Sequence, residues 1–290
     1  MKTLTLPLDK TATPSPVSSP LLQKELTQSA FIEKQLACQP LAASFGQASK
    51  SDRRAAKASL PHSRLRLRVY HTADYQEIAQ KYYQAQLEVL KEFGVNGISS
   101  IKNKWWENPT SYMLVIEDAE TGELGAGMRL DVVDPSHPIP LEEALKQLSP
   151  DIVPRVHKYN HILGEACGAW VKKEFSERGL PKLLMRSLIA FSVKVRVQVI
   201  VALANQYTKR MTEELGFTSI PNLGSNAAFC YPDTRYLSTA VEIEDTLHLP
   251  TLPATERELV NQLRKQPLQT FYETYRGSEV ISIECDLRLW

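Results

Sequence analysis

Arg64-Leu65-Arg66-Leu67-Arg68-Val69-Tyr70 alternates strictly between charged and apolar positions. That period belongs to a strand with one buried face and one basic outer face. The spacing then turns helical: Ile78, Ala79, Tyr82, Leu87, Leu90 and Phe93 predict a helix with Asp74 as its cap and Gly94 as its stop. Tyr112–Ile116 and Leu124–Val133, separated by the polar segment Glu117–Glu123, predict a hairpin. Residues 134–160 carry prolines and histidines and predict an excursion with one short helix, Leu141–Leu148. A fourth strand over Ile162–Val171 leads to Arg178-Gly179-Leu180-Pro181-Lys182 and a helix from Pro181 to Val193, with proline in the first turn where its missing N–H costs nothing. Val195–Leu203 reads as a buried strand, and Asn205 caps a helix that stops at Gly216. Past Pro221 the pattern is β-like, followed by a helix over Thr255–Tyr275 and a terminal strand over Glu279–Leu289. The order is that of an α+β (mixed α/β) protein, without internal repeats.

Residues 1–62 follow neither pattern. They are rich in Ser, Thr, Pro, Ala and Gln, hold one helical stretch over Leu21–Leu36, and read as a mobile or loosely docked arm. Length alone suggests about two domains for 290 residues. The patterning instead divides the chain into this arm, a core over 63–240 and a C-terminal helix–strand extension over 241–290 packed on that core.

Charge removes one class of function. Lys plus Arg number 34 against 33 Asp plus Glu, so the long-range attraction that non-specific nucleic-acid binding needs is absent. No apolar run reaches the ~20 residues of a membrane span. Met1–Pro20 lacks the apolar segment of a secretory signal, so a cytoplasmic location is expected. Cys38, Cys167, Cys230 and Cys285 lie far apart, which indicates neither a disulfide framework nor a zinc site. His157 and His161 have metal-ligand spacing only on a helix, and Asn160 and Gly164 favour a loop there, so no metal is expected.

Three pieces carry chemistry in fixed order: Glu165 on the fourth strand, the Arg178-Gly179 turn into a helix N-terminus, and Asn205 followed by Leu215-Gly216-Phe217. A strand running into a helix whose first N–H groups are open is a ready anion site. Over 162–217, and more loosely over 64–240, this resembles the acyl-CoA-binding half of the GNAT (general N-acetyltransferase) superfamily. Two departures stand out. Pro181 and Leu183 replace loop glycines of the family pattern, and Thr212 stands where many members carry a general-acid tyrosine, which leaves Tyr207 as the candidate donor. Upstream, Gly125-Ala126-Gly127-Met128-Arg129-Leu130 and Leu141-Glu142-Glu143-Ala144-Leu145, taken with Glu165 and Val171, resemble the acyl-homoserine-lactone synthases and long-chain N-acyl amino acid synthases. Where that pattern has an arginine three residues after the strand glutamate, this chain has Gly168.

The resemblance implies a GNAT-like central mixed sheet flanked by helices, with an acyl-thioester site at splayed strands. It implies transfer of an acyl group from acyl-CoA or an acyl carrier protein to an amine of a small molecule or amino acid, with no permanently bound cofactor. Glu165 would act as general base, directly or through a water, because burial raises a carboxyl toward neutrality. Backbone N–H groups of Ala169, Trp170 and Val171 would hold the donor's carbonyl and pantetheine arm. Arg178, Gly179, Leu180, Lys182, Leu183 and Asn205 would serve its phosphate end. Arg129 would hold an acceptor carboxylate, with Trp105 and Trp106 lining the substrate pocket. Bland alternatives stand beside each role: a strand-edge carboxylate for Glu165, a structural ion pair for Arg129, core packing for the tryptophans, an inert thiol for Cys167. The Arg64/Arg66/Arg68 stripe reads as a solvated face, with carrier-protein docking as the sharper reading. A catalytically silent acyl-CoA/pantetheine-binding module is the competing function.

Overall fold

The computed structural model describes residues 64–289 apart from 96, 102, 103, 225 and 276–278. The arm of residues 1–62, its predicted helix over 21–36 and Cys38 lie outside the described residues. The alternation that opens the core becomes β1 (Arg64–His71), with Leu65, Leu67 and Val69 fully buried. Its basic face is neutralised by neighbouring strands: Arg64 and Arg66 each lie 3.2 Å from Glu284, and Arg68 lies 3.4 Å from Glu117. The stripe is therefore an ion-paired ladder.

Helix α1 (Gln76–Glu92) forms where predicted, but Asp74 pairs with His71 and does not cap it. Its buried stripe also differs: Ala79, Tyr82, Ala85, Gln86 and Val89 face inward, while Phe93 is exposed. Strands β2 (Ser111–Asp118) and β3 (Leu124–Val132) make the hairpin. The excursion holds two helices, α2 (Pro140–Leu145) and α3 (Ile152–Tyr159), one more than predicted. Pro154 disguised the second, yet proline is tolerated in a first helical turn, and Ile152 and Val156, four apart, bury against the sheet.

Strand β4 (Leu163–Val171) and α4 (Leu180–Ser192) follow the sequence pattern closely. Strand β5 (Val199–Asn205) starts four residues later than expected, because Val193–Val195 is a 3-10 turn closed by Arg196 at φ 62°. Next come α5 (Lys209–Glu214), β6 (Thr218–Ser219), β7 (Ala228–Cys230) and β8 (Leu237–Ile243). The long predicted helix over 255–275 is wrong in its second half. Helix α6 (Ala254–Lys265) ends ahead of Pro267, which biases Gln266 to extended backbone, and β9 (Leu268–Tyr275) then pairs with β10 (Glu279–Leu289).

The ten strands form one mixed sheet in the order β6-β8-β5-β4-β3-β2-β1-β10-β9, with β7 paired to β8. Helices α4 and α6 cover one face, where Leu184, Leu188, Phe191, Val260 and Leu263 pack over Leu65, Leu67, Ile116 and Ile283. On the other face α1 packs Tyr82 and Val89 against Val115 and Trp170, and α2 and α3 cover Val199, Val201 and Phe229. No described helix is long and apolar enough to cross a membrane.

Candidate active site

Strands β4 and β5 are parallel, but they pair only from Leu163–Val199 to Glu165–Val201. Past Glu165 the ladder opens, and the two strands diverge to Val171 and Asn205. On its other edge β4 is bulged. Cys167 pairs with Arg129 and Trp170 with Gly127, so Gly168 and Ala169 together oppose Met128. A bulge of this kind takes a residue out of the ladder and re-aims the backbone. Gly168 sits at φ 62°, a conformation glycine adopts without penalty. Its carbonyl accepts the Tyr82 hydroxyl at 2.6 Å. The Tyr82 ring in turn packs against Gly127, where an added Cβ would come within 2.4 Å of it.

The divergence opens a cavity of about 740 Å³, within the size range of small-molecule sites. One end is apolar, lined by Val89, Leu90, Phe93, Val95 and Ile98. The other end, beside α4 and α5, is lined by Ser176, Pro181, Met185, Asn205, Tyr207 and Thr208. Glu165 lies on the wall at the apex, where pairing stops, and Ala169, Trp170 and Val171 continue that wall. The predicted base and the predicted carbonyl-binding backbone thus share one cavity.

Glu165 is buried, and Oε2 accepts the Leu141 N–H at 2.7 Å. Burial pushes its carboxyl well above the ordinary glutamate value; Asp131 adds to this, while the Leu141 bond and Arg129 oppose it. Cys167, two residues on, donates to Asp131 at 3.3 Å, and burial pushes its thiol well up, which makes it a poor nucleophile. His157 lies 2.7 Å from Glu142, which reaches back to the Ile139 N–H. No cluster of metal-ligating side chains occurs among the described residues.

Arg129 departs from its expected role. It is 0% exposed and does not line the cavity. Its guanidinium is spent on Asp131 (2.8 and 2.9 Å) and the Ser100 carbonyl (3.1 Å), 4.0 Å over the Trp105 ring. Trp105 is core, edge-on to Tyr82, and half-buried Trp106 meets Tyr83 at a tilt, ring centres 5.0 Å apart. Neither tryptophan reaches the cavity wall. These three residues support the site from behind.

At the turn expected to meet phosphates, Gly179 precedes α4 in a left-handed conformation, and Pro181 has no N–H. The N–H groups of Lys182 and Leu183 both donate to the Gly179 carbonyl at 3.1 Å. This leaves Gly179 and Leu180 as the backbone donors of that turn outside the helical pattern. The Leu180 and Leu183 side chains enter the core. Lys182 is held by Glu256 at 2.9 Å and Glu214 at 3.3 Å, and Arg178 is buried with its guanidinium 5.5 Å from the centre of the Phe175 ring. Asn205 does not cap α5 directly; its Oδ1 accepts the N–H groups of Tyr207 and Thr208 at 2.9 and 3.1 Å, closing the turn before the helix. Thr212 is buried and donates to the Lys209 carbonyl at 2.7 Å, whereas Tyr207 is 43% exposed at the cavity rim.

Two cavity groups escaped the sequence reading. Tyr231, next to a cis Pro232, donates to the Ser99 hydroxyl at 2.8 Å and accepts the Ser99 N–H, which bridges the loop after α1 to the loop after β7. Burial raises its phenol, and the Glu165 charge adds to that rise. Gln86 lies on the α1 face beside the bulge. The Tyr-Pro pair in a polar loop was a weak available signal for the first; nothing in the pattern singled out the second.

No protein-family model matches the chain, and no curated protein matches it in sequence. Solved structures do resemble it. FeeM, an N-acyl amino acid synthase from uncultured soil microbes, matches with a TM-score of 0.50 at 11% identity, over 63% of this chain and 92% of its own. The CoA-dependent acyl-homoserine lactone synthase MesI matches at 0.47 and 14% identity, over 69% and 95% of the two chains. A putative N-acetyltransferase from Lactobacillus plantarum matches at 0.42 and 10%, over 61% and 96%. The chain shares the fold of the first of these; in this chain it is a mixed sheet flanked by helices and opened between the parallel strands β4 and β5.

Proposed function

We propose that the protein is an N-acyltransferase that moves an acyl group from an acyl thioester to an amine. The observation that carries this reading is the placement of Glu165 where β4 and β5 part, at the apex of a cavity with an apolar end under α1 and a polar end beside α4 and α5. The polar end suits a pantetheine arm. The apolar end, with Val89, Leu90, Phe93 and Ile98, suits an acyl chain longer than acetyl. Backbone around Gly168 and Ala169, turned out of the ladder by the bulge, faces the thioester carbonyl.

In this reading the amine nitrogen attacks the thioester carbon, the C–S bond breaks, and the thiol leaves. Glu165 takes the amine's proton, directly or through water, from its place on the wall where the two strands part. Tyr207, at the donor end, supplies a proton to the departing thiolate, and the Tyr231–Ser99 pair orients the amine. No permanent cofactor takes part; acyl-CoA or an acyl carrier protein brings the donor as co-substrate. The acceptor is a small-molecule amine or amino acid, and the unbridged thiols Cys167 and Cys285 suit a cytoplasmic setting.

The test is thiol release by the purified chain, supplied with acyl-CoA of graded length or acyl carrier protein and a panel of amines. Turnover that falls ~10²-fold or more in Glu165→Gln, with donor binding retained, supports the reading. Absence of turnover with every pair would end it. One observation favours the silent binding module instead: the Thr212 hydroxyl is spent on Lys209, so the position of the family's tyrosine supplies no proton. Thermal stabilisation by acyl-CoA without any product would select that module.

A further inference from the structure

Gln86 is 0% exposed, and neither its Nε2 nor its Oε1 meets a hydrogen-bond partner in the protein. A buried carboxamide with both ends unpaired carries a full desolvation penalty. Helix α1 nevertheless turns this side chain inward, in the stripe that otherwise holds Ala79, Tyr82, Ala85 and Val89. Gln86 is on the cavity wall, and its Nε2 lies 3.3 Å from the point where a Cβ on Gly168 would stand. It therefore sits against the bulge, with Glu165 three residues back on the same strand.

We propose that Gln86 is a catalytic residue that binds the tetrahedral adduct of aminolysis through both atoms of its carboxamide. This rests on the acyl-transfer reading and deepens it. When the amine attacks, a C–N bond forms and the carbonyl π pair moves to oxygen. One carbon then bears an anionic oxygen, which accepts hydrogen bonds, and an ammonium nitrogen, which donates them. The glutamine carboxamide presents the complement across its own carbon: Nε2–H toward the oxygen and Oε1 toward the N–H. The thioester alone offers only the acceptor half, because sulfur carries no hydrogen. The paired contact is complete only after attack, so it favours the transition state over the bound donor. Glu165 then removes the ammonium proton, the oxygen's pair returns to carbon, and the C–S bond breaks with its electrons on the leaving thiolate.

The experiment compares the wild-type chain with Gln86→Leu, Gln86→Met and Gln86→Glu in thiol release, acyl-CoA-induced thermal shift and melting without ligand. Leu and Met replace an unpaired amide with apolar groups of similar size, so both melt at or above the wild-type temperature. Their kcat falls ~10²-fold, the loss seen when one oxyanion donor is removed, while the acyl-CoA shift is kept. Gln86→Glu keeps the acceptor but lacks the donor once ionised, so its kcat falls likewise as pH rises through its titration. Wild-type kcat in Gln86→Leu would overturn the assignment, as would a lowered melting temperature with a matching loss of donor binding, which marks a packing residue. If the wild-type chain itself releases no thiol with any donor and amine, both the acyl-transfer reading and this assignment fall.

Discussion

Single residues divide here into those that face the cavity and those that hold its wall, and stability measurements separate the two. Glu165 belongs to the first set. Its carboxyl is pushed above the ordinary 4.5 chiefly by burial. Between 4.5 and the higher native value, the unfolded chain has lost its proton while the native protein keeps it. Stability therefore falls as pH rises through that window, by about 1.4 kcal/mol per pH unit. Glu165→Gln removes this dependence and still offers an oxygen to the Leu141 N–H. The variant is expected to melt higher than wild type at about pH 8, with the gap closing toward pH 4.5, as read from thermal melts across that range. Arg129 belongs to the second set. With Asp131 it forms a buried ion pair, and removing one partner of such a pair typically costs about 3–5 kcal/mol. Arg129→Met should lose about that much in chemical denaturation, and Arg129→Met with Asp131→Leu should recover most of it. A rise in acceptor KM without loss of stability would restore the carboxylate-binding role that the sequence suggested.

Among the elements, the bulge on β4 is the one on which the acyl-transfer reading makes the sharpest demand. Gly168→Ala forces a left-handed residue to carry a Cβ, at about 1–2 kcal/mol, and crowds Gln86 and Tyr82 at 3.3 Å. It should lower kcat far more than that modest destabilisation alone would, as steady-state kinetics beside a denaturation curve would reveal. Tyr82→Phe isolates the backbone contribution, because it leaves the Gly168 carbonyl without its 2.6 Å partner and changes no shape. Element types were largely legible in the sequence, since β1 to β4 and α4 follow from alternation, turn residues and proline placement. Two misreadings share one cause, a pattern that ran through a turn: Arg196 ahead of β5 and Pro267 ahead of β9. Helix α3 was missed for the opposite reason, because Pro154 in its first turn read as a break. The site was half legible. Glu165 and the wall after it lie on one strand, so spacing alone brought them together. Tyr231, Ser99 and Gln86 come from separate elements, and only the sheet's register and the rotation of α1 place them at the same cavity. The inward face of α1 was misjudged because leucines at 87 and 90 outweighed a glutamine that no apolar rule would bury.

At the scale of the whole molecule, the last strand of the chain pairs with the first described one. Strand β10 lies parallel to β1, and Arg64 reaches Glu284 across 220 positions. Helix α6 completes the other side, where Glu256 holds Lys182 and Arg186 of α4. The described residues past 240 are thus structural members of the sheet and of the helix layer beside the polar end of the cavity. We therefore propose that the core over 64–240 does not fold by itself. Removing β9 and β10 strips Ile281, Ile283, Cys285 and Leu287 from the main core and bares the backbone edge of β1. At about 1.5–3 kcal/mol for each buried isoleucine or leucine, those three side chains alone lose about 4.5–9 kcal/mol. That is comparable with the whole stability of an ordinary domain, about 5–15 kcal/mol. A chain ending at residue 266 is accordingly expected to lack a cooperative calorimetric transition and to aggregate through β1, whereas the full chain melts its sheet as one unit. A truncated chain that melted cooperatively and still released thiol from acyl-CoA would make the last two strands an appendage. The distinction bears on the site itself: if the sheet is one cooperative unit, substitutions in β10 that touch no substrate will lower activity in proportion to the folded fraction, leaving KM unchanged.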